Sequence, residues 1–459
     1  MPPLRFLRRT TAPVVGAALI ALLAAGGGAA PAAAAPVVPA APVAPARPAA
    51  APLKTTTVSV PAAIDWAPFD KKRSLKVPAG WTVSVWARPK KARLLVWTPD
   101  KRMLVSRPQY GIVTRLTPNK RGRPTSSTLL KGLRQPHGLA FDGSTLYVAE
   151  SHRIDAYTYK NGKASKRRTV LGGLPDSKSK DLKGAYAHAL KSVAVGPDHA
   201  LYISVGSTAN VSPGDRSTNP QRATILRLAR GSKKATVFAR GVRNGTGLAV
   251  APDGAVWTAV NNRDNVAYPY DRDYTGDGKS DRGKVITGYV NDHPMEPLAK
   301  LTAGRDLGWP YCNPDPDVKA GVRGTTFDYS KRPFVRDVQT NANGSKLNCA
   351  KLAPVEQGLG AHSAPLGLSF AKAGLPSYGV GALVGVHGSW NRKPPRAPEV
   401  AFFGYAKGGL SGRQTLVTGF QSASGSRWGR PVAAVQGPDK ALYVSDDAAG
   451  AVYRIVPKG

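Results

Sequence analysis

One hairpin signature recurs along this chain and predicts an all-β fold of radially repeated blades, a β-propeller. The signature is an apolar run, a Gly/Pro/Asp turn and a second β-rich run. It is clearest at Ser192–Gly206, where Val193, Ala194 and Val195 meet Gly196, Pro197 and Asp198, and Leu201, Tyr202 and Ile203 follow. Each turn residue serves for its own reason: free φ, fixed φ, and a side chain that bonds its own backbone. The signature returns in GLAFDGSTLYVAE (Gly138–Glu150), GLAVAPDGAVWTAV (Gly247–Val260) and VAAVQGPDKALYVSDD (Val432–Asp447), and in degraded form in LLVWTPDKRMLVS (Leu94–Ser106). Most copies lie about 50 residues apart, a period that suits propeller blades and is too long for most helical solenoids. A β-sandwich is the competing architecture, but a sandwich need not repeat one sequence. The wider spacing between Val260 and Val432 predicts one or two blades with insertions, and Ala364–Phe370 followed by Gly381–Trp390 reads as a divergent blade.

From the start of the chain, Arg5, Arg8 and Arg9 precede an apolar run, Ala12–Ala25, and an Ala-rich exit. That layout predicts a secretory signal peptide over residues 1–35. The run is short for a transmembrane span, no cysteine follows it, and no later stretch reads as membrane-spanning. The expectation is a secreted protein with no transmembrane segment. Residues 36–54 are Ala/Pro/Val-rich and read as an extended linker, which leaves residues 55–459 for the propeller. Cys312 and Cys349 are the only cysteines. In an oxidising compartment that even count predicts one disulfide tying down a long insertion, with two buried thiols as the alternative.

Lys and Arg number 65 against 28 Asp and Glu, a formal net charge of +37. Such a balance invites a nucleic-acid partner. The basic residues are scattered, however (Lys160–Arg168, Lys178–Lys183, Arg392–Arg396), and no nucleic-acid motif is present. No nucleic acid is expected; an anionic cell wall, or solubility through charge, accounts for the excess.

Several segments are unlike ordinary blade sequence: His188 with Lys191, GVRNGTGLA with Arg243 and Asn244, NNRDN (Asn261–Asn265), GWPYC (Gly308–Cys312), AHSAPLG around His362, HGSWNR (His387–Arg392), and SRWGRPV with Arg427 and Arg430. Most fall at or near strand starts, at equivalent places from blade to blade, which in a propeller converge on one end of the central channel. A ring of His, Arg and Asn there suits an anionic ligand with carbonyl oxygens.

These segments, with AHSAPLGLSF, VGVHGSWNRKPP, RNGTGLAVAPDGAVWTAVNNRD and GRPVAAVQGPDKALYVSDDAAGAVYRI, resemble the soluble pyrroloquinoline-quinone (PQQ)-dependent sugar dehydrogenases, the glucose/sorbosone dehydrogenase family, from about Leu75 to Pro457. The resemblance implies a six-bladed propeller of four-stranded antiparallel blades, with PQQ over the channel mouth and calcium at its carbonyls. It implies a small-molecule sugar substrate, an aldose or sugar aldehyde, and an external electron acceptor. His188 is then the base that takes the proton of the anomeric hydroxyl as hydride passes to the quinone, a task suited to a group of ordinary pKa near 6.5. Arg243 and Asn244 match the family's pair near the reactive carbonyl, where a guanidinium stabilises developing negative charge. Arg392, Arg427 and Arg430 are candidates for the quinone's carboxylates, which the planar guanidinium matches. Gln135 and His362 are further cofactor candidates on the same rim, equally readable as structural.

For calcium the resemblance points to the Asn261–Asp264 segment, hence to Asn262 and Asp264 as metal ligands. Asn262 stands where an acid is more usual, so the formal charge there is lower. Asp271–Asp281 also has the alternating acids of a calcium loop, but Lys284 falls where the loop needs its twelfth-position acid, and an acidic turn without metal is the other reading. Two other function classes remain. A lactonase-type hydrolase would need channel carboxylates, which are sparse here. A non-catalytic propeller binding carbohydrate or an anionic cell wall is compatible with the basic surface.

Overall fold

The computed structural model describes residues 52–120 and 122–457. The predicted leader, residues 1–35, and nearly all of the linker, residues 36–54, lie outside them. Among the described residues there is one α-helix, Thr287–Asp292, and a few 3-10 turns; the rest of the regular structure is strand.

Six antiparallel blades make up the fold. Blade one is Leu95–Trp97, Met103–Arg107, Ile112–Thr117 and Thr125–Leu130; blade two is Leu139–Asp142, Thr145–Ala149, Ile154–Lys160 and Lys163–Leu171. Blade three is Val193–Val195, Leu201–Val205, Thr224–Leu228 and Thr236–Arg240; blade four is Gly247–Val250, Val256–Ala259, Glu296–Leu301 and Gln357–Leu359. Blade five is Pro365–Leu375, Gly379–Val386, Glu399–Ala406 and Gly409–Val417. Blade six takes Pro431–Gln436, Leu442–Asp446 and Ala451–Val456 from the end of the chain and Thr82–Ala87 from its beginning. The first strand of each blade touches the first strand of the next, and that of blade six touches that of blade one, so the circle is complete.

The closing contact is the pairing of Ala451–Val456 with Thr82–Ala87, Val452 opposite Ala87 and Val456 opposite Thr82. The last strand therefore closes the ring by completing the final blade with an early strand. Leu53–Ser59 and Ser74–Pro78 add to the outside of the same sheet.

Local chemistry explains why the hairpins form where they do. In blades three, four and six the turn aspartate accepts the backbone N–H two residues on: Asp198 from Ala200 at 3.2 Å, Asp253 from Ala255 at 3.0 Å and Asp439 from Ala441 at 3.2 Å. The residue between is left-handed in each case, His199 at φ 61°, Gly254 at 87° and Lys440 at 62°, which the aspartate's bond helps to hold. Glycine at the inner edge has a different cause. A Cβ on Gly138 would sit 2.6 Å from Val193 N of blade three, and one on Gly367 would sit 2.7 Å from Val432 O of blade six. First strands approach too closely for a side chain at these points.

Each sheet buries both faces, and each junction has its own apolar cluster. Leu104, Leu146 and Tyr157 lie between blades one and two, and Ile154, Ile203 and Leu226 between two and three. Tyr202, Ile225, Val256 and Leu301 join three to four, Trp257, Val384 and Phe403 join four to five, Phe402, Val444 and Tyr453 join five to six, and Trp86, Val105 and Tyr443 join six to one. No blade is covered without its neighbours, so burial here depends on closure.

The widened spacing belongs to blade four. Residues 260–295 enter between its second and third strands, and residues 302–356 between its third and fourth. Cys312 and Cys349 are bonded within the second insertion, 37 residues apart. Arg305–Asp306 runs parallel beside blade three, and Arg216 grips Asp306 with two hydrogen bonds of 2.7 and 2.8 Å. Closing a loop of this length contributes roughly 3–4 kcal/mol on chain-entropy grounds. Replacing both cysteines by serine is therefore expected to lower the calorimetric Tm of the non-reduced protein. Equal melting of the variant and the oxidised parent would contradict that contribution.

Candidate active site

Because the first strands run side by side around the channel, the residues just ahead of them gather at one end. Gln135, His188, Arg243 with Asn244, His362 and Arg430 precede the first strands of blades two to six in turn. The structure adds Arg93 before blade one, a position that the degraded repeat there concealed.

His188 sits beside Gly206. A Cβ on that glycine would lie 2.5 Å from His188 Cβ and 3.2 Å from Asn244 Oδ1, so the two side chains flank a place only glycine can fill. His188 Nδ1 is 3.0 Å from the Ser207 carbonyl and 2.9 Å from Ser207 Oγ, whose own hydroxyl donates to the Ala209 carbonyl at 2.8 Å. A carbonyl can only accept, so Nδ1 carries the proton and Nε2 presents its lone pair. No group among the described residues engages Nε2. Burial, reinforced by the Arg243 charge, pushes the imidazole down to about 3, so it is neutral at ordinary pH. Lys191, wholly buried, anchors the segment carrying it: Nζ donates to the Pro175 and Ala189 carbonyls at 2.9 and 2.7 Å, and burial lowers its pKa to about 7.

Arg243 is held by acceptors on three sides. Nε donates to Asn210 O at 3.1 Å, Nη1 to Asn261 O at 3.2 Å and Asn262 O at 2.8 Å, and Nη2 to Asn210 Oδ1 at 3.0 Å. Four of five N–H groups are used and one is left. Burial lowers the guanidinium only to about 10, with Asp264 and Glu296 opposing the fall, and it stays charged. The Asn244 side chain, buried next to it, has no hydrogen-bond partner among the described residues. Asn210, which orients Arg243 and also bonds Asp264 N and O, carries no sequence motif that would have marked it.

His362 lies deeper. Its Nδ1 meets Asp264 Oδ1 at 2.9 Å and its Nε2 meets the Val290 carbonyl at 2.6 Å, so both nitrogens face acceptors and neither is open to a ligand. Its backbone is left-handed at φ 58°, as is that of Gln135 at 49° and Asn265 at 56°; strained backbone of this kind collects at functional sites. Asn262 is also committed, its Oδ1 accepting Arg263 N at 2.9 Å and its Nδ2 donating to Met295 O at 3.3 Å. Asp264 Oδ2 is the one side-chain oxygen of the predicted metal pair left over. Calcium takes six to eight oxygens, and the nearby Asn261 and Asn262 carbonyls already serve Arg243. Asn262 and Asp264 by themselves fall short of that number. Asp273 and Asp281 of the acidic loop likewise bond their own backbone: Asp273 accepts the N–H of Gly276, Asp277 and Gly278, and Asp281 that of Tyr274 and Thr275.

On the other side of the mouth, Arg430 donates through Nε and Nη2 to the His387 and Gly388 carbonyls at 2.8 and 3.0 Å, leaving Nη1 unused. Arg427 donates through Nε to Gln421 Oε1 at 2.7 Å and through Nη2 to Arg396 O at 3.1 Å, again leaving Nη1. Burial and the neighbouring Arg427 charge pull Arg430 below its usual value. Arg392 differs, because Asp292 takes its Nη2 at 3.0 Å while the Asn291 and Pro394 carbonyls take the rest of the fork. That leaves it a poorer carboxylate receptor than the other two. Gln135 is exposed, with a free side chain. Asp447 bridges His387 and Arg93 at 2.8 Å each; burial works to raise it, but these partners hold it well below the usual carboxylate range.

Glu296, fully buried between Asn262 and Ala364, is a residue that sequence reading missed; nothing in MEP marks it. Burial raises its carboxyl to about 8, and Oε2 has no hydrogen-bond partner.

The TrAA12-like family model matches residues 75–458. The holo form of the pyranose dehydrogenase PQQ domain from Coprinopsis cinerea is 22% identical with a TM-score of 0.66, covering 83% of this chain and 97% of that one. The calcium structure of the Trichoderma reesei carbohydrate-active enzyme of family AA12 is 20% identical with a TM-score of 0.62, covering 83% and 96%. An uncharacterized protein of Borreliella burgdorferi is 24% identical over 420 residues, 87% of this chain and 95% of the relative. At these identities the structural likeness is one of fold.

The buried acid yields a test by pH. In the folded chain Glu296 keeps its proton up to about pH 8, whereas in the unfolded chain it ionises near the ordinary 4.5. Stability associated with it is therefore complete below about pH 4.5 and is lost as pH rises towards 8. Glu296→Gln is expected to flatten that decline, so the Tm difference between variant and parent shifts in the variant's favour from pH 5 to pH 8. An unchanged difference across that range would contradict the buried protonated state.

Proposed function

The chain belongs to the TrAA12-like family, and on that premise we propose that it is a quinone-dependent oxidoreductase acting on sugars, with PQQ seated over the ring mouth. One observation carries the reading: a neutral, half-buried His188 presents an Nε2 unengaged among the described residues, beside the charged Arg243 and the unpartnered Asn244. The donor set fits the cofactor, a planar ortho-quinone bearing three carboxylates. Arg427 and Arg430 keep free Nη1 groups, Asn244 and Gln135 keep free amides, and Arg243 keeps one N–H. When bound, this cofactor would supply a hydride acceptor.

The chain's own residues do the rest. A sugar hydroxyl placed against His188 Nε2 loses its proton there, the C1–H pair leaves as hydride, and the C1–O bond becomes a carbonyl, giving a lactone from an aldose. Ser207 keeps the imidazole in the receiving tautomer. Arg243 and Asn244 face negative charge developing on the acceptor side, in a setting where low local polarity strengthens such contacts. Arg430 and Arg427 bind carboxylate. No step relies on a metal at Asn262 and Asp264. The electrons then pass to an external acceptor. The reading includes export through the leader at residues 1–35, association with an anionic wall through the net charge of +37, and glucose- or sorbosone-type sugars as substrates.

Reconstituting the purified chain with PQQ, with and without calcium, and following dye reduction over a sugar panel tests the proposal. His188→Ala is expected to lower kcat by about 10²–10⁴ while leaving quinone affinity near the parent's. Arg430→Ala is expected to weaken quinone binding about tenfold or more. Tight quinone binding without turnover on any sugar would favour a binding scaffold; no quinone binding at all would end the proposal.

A further inference from the structure

Away from the ring mouth, the insertions of blade four bring His293, Asp315 and Asp317 together, all three buried. One ligand atom from each lies within 4.8 Å of the others. His293 Nε2 is 3.1 Å from Asp317 Oδ1 and 3.9 Å from Asp315 Oδ1. The shorter approach has the distance of a hydrogen bond but not its direction: both His293 Nε2 and Asp317 Oδ1 are shut off from solvent with no hydrogen-bond partner. Buried polar atoms left in that state are costly and rare.

The surroundings set the protonation. His293 Nδ1 is 2.8 Å from the Tyr289 carbonyl and so carries a proton, which turns the Nε2 edge of the ring towards the two acids. The ring lies flat on Tyr289, with centroids 3.9 Å apart and planes 10° apart. Asp315 is oriented by the Tyr270 hydroxyl on Oδ2 at 2.5 Å and by Asp317 N on Oδ1 at 3.0 Å. Arg332 reaches the backbone carbonyls of Asp315 and Asp317, not their carboxylates. The Nε2 edge of the ring and two carboxylates thus converge, and among the described residues no Lys or Arg side chain pairs with either carboxylate.

We propose that this cluster binds a divalent cation of the zinc or manganese class through His293 Nε2, Asp315 Oδ1 and Asp317 Oδ1. Separations of about 3–4 Å suit donors arrayed about 2.1 Å from one small ion. An imidazole with two carboxylates is a donor set for such metals more than for calcium, which prefers all-oxygen shells. The imidazole N–H on a carbonyl and the carboxylate on a tyrosine hydroxyl are the outer contacts that orient metal ligands. A cleft of about 800 Å³, lined in part by Asp315 and Asp317, adjoins the cluster. The ion joins the first insertion to the second. Val290, which holds His362, and Asp292, which holds Arg392, lie within three residues of His293, so the clamp steadies the rim. This site is independent of the quinone reading.

The test uses the full mature chain, untagged and stripped with chelator, titrated with Zn²⁺, Mn²⁺ or Ca²⁺ alone. One equivalent of zinc or manganese is expected to survive gel filtration and to raise Tm by about 2 °C or more. Asp317→Asn is expected to weaken that binding about tenfold or more and to abolish the rise. No retained zinc or manganese, equal binding by Asp317→Asn, or retention of calcium alone would overturn the proposal. Should Asp317→Asn fail to fold, anomalous scattering at the zinc edge from zinc-loaded parent crystals decides: a peak among the three side chains supports the site, and its absence there overturns it.

Discussion

Everything at the ring mouth depends on one antiparallel pairing, Ala451–Val456 against Thr82–Ala87. A propeller blade is apolar on both faces, and only its neighbours can cover it. Six apolar clusters, one at each junction, therefore form together once the last blade borrows a strand from the beginning of the chain. Closure also brings the six first strands into mutual contact, close enough that Gly138 and Gly367 have no room for a side chain. Residues ahead of those strands then have nowhere to go but the rim of one channel end.

The chemistry of that rim follows from burial working against charge. Arg243 is satisfied by carbonyls, Arg392 by Asp292, and Asp447 by His387 and Arg93, so most charge is already spoken for within the chain. What is left is a short set of donors and one lone pair: one N–H of Arg243, the free amides of Asn244 and Gln135, Nη1 of Arg427 and Arg430, and Nε2 of His188. The same burial and cationic surroundings that lower His188 to about 3 also favour an anionic ligand beside it. Negative charge brought in by such a ligand raises the imidazole towards the range of an effective base.

The repeating hairpins were legible because their turn chemistry is local: Asp198, Asp253 and Asp439 each bond the backbone two residues on, and an inner glycine marks the close approach. Six blades match the expectation drawn from those patterns and from the family resemblance, and the Cys312–Cys349 bond matches the one drawn from the even cysteine count. Long-range facts were not legible. Asp292 meets Arg392 across 100 residues, and nothing near SWNR announces that its guanidinium is engaged. Nothing in NNRDN announces that Arg263 N and His362 each engage a side-chain oxygen of Asn262 and Asp264. Glu296 and Arg93 lie in stretches without motif, and their places under the rim come from the ring itself. The His293, Asp315 and Asp317 cluster spans two insertions that the sequence showed only as widened spacing.

The account's central claim is that the groups left unpaired at the mouth form a quinone cradle with His188 as its base. A crystal structure of the PQQ-soaked protein tests this most directly. Planar density should lie across the mouth, with a ligand oxygen within hydrogen-bond reach of Arg243 Nη2 or the Asn244 amide, a carboxylate on Arg430 or Arg427, and His188 Nε2 facing the open side. Quinone density confined to the cleft beside Asp315 and Asp317, or a mouth holding only water at saturating quinone, would contradict it.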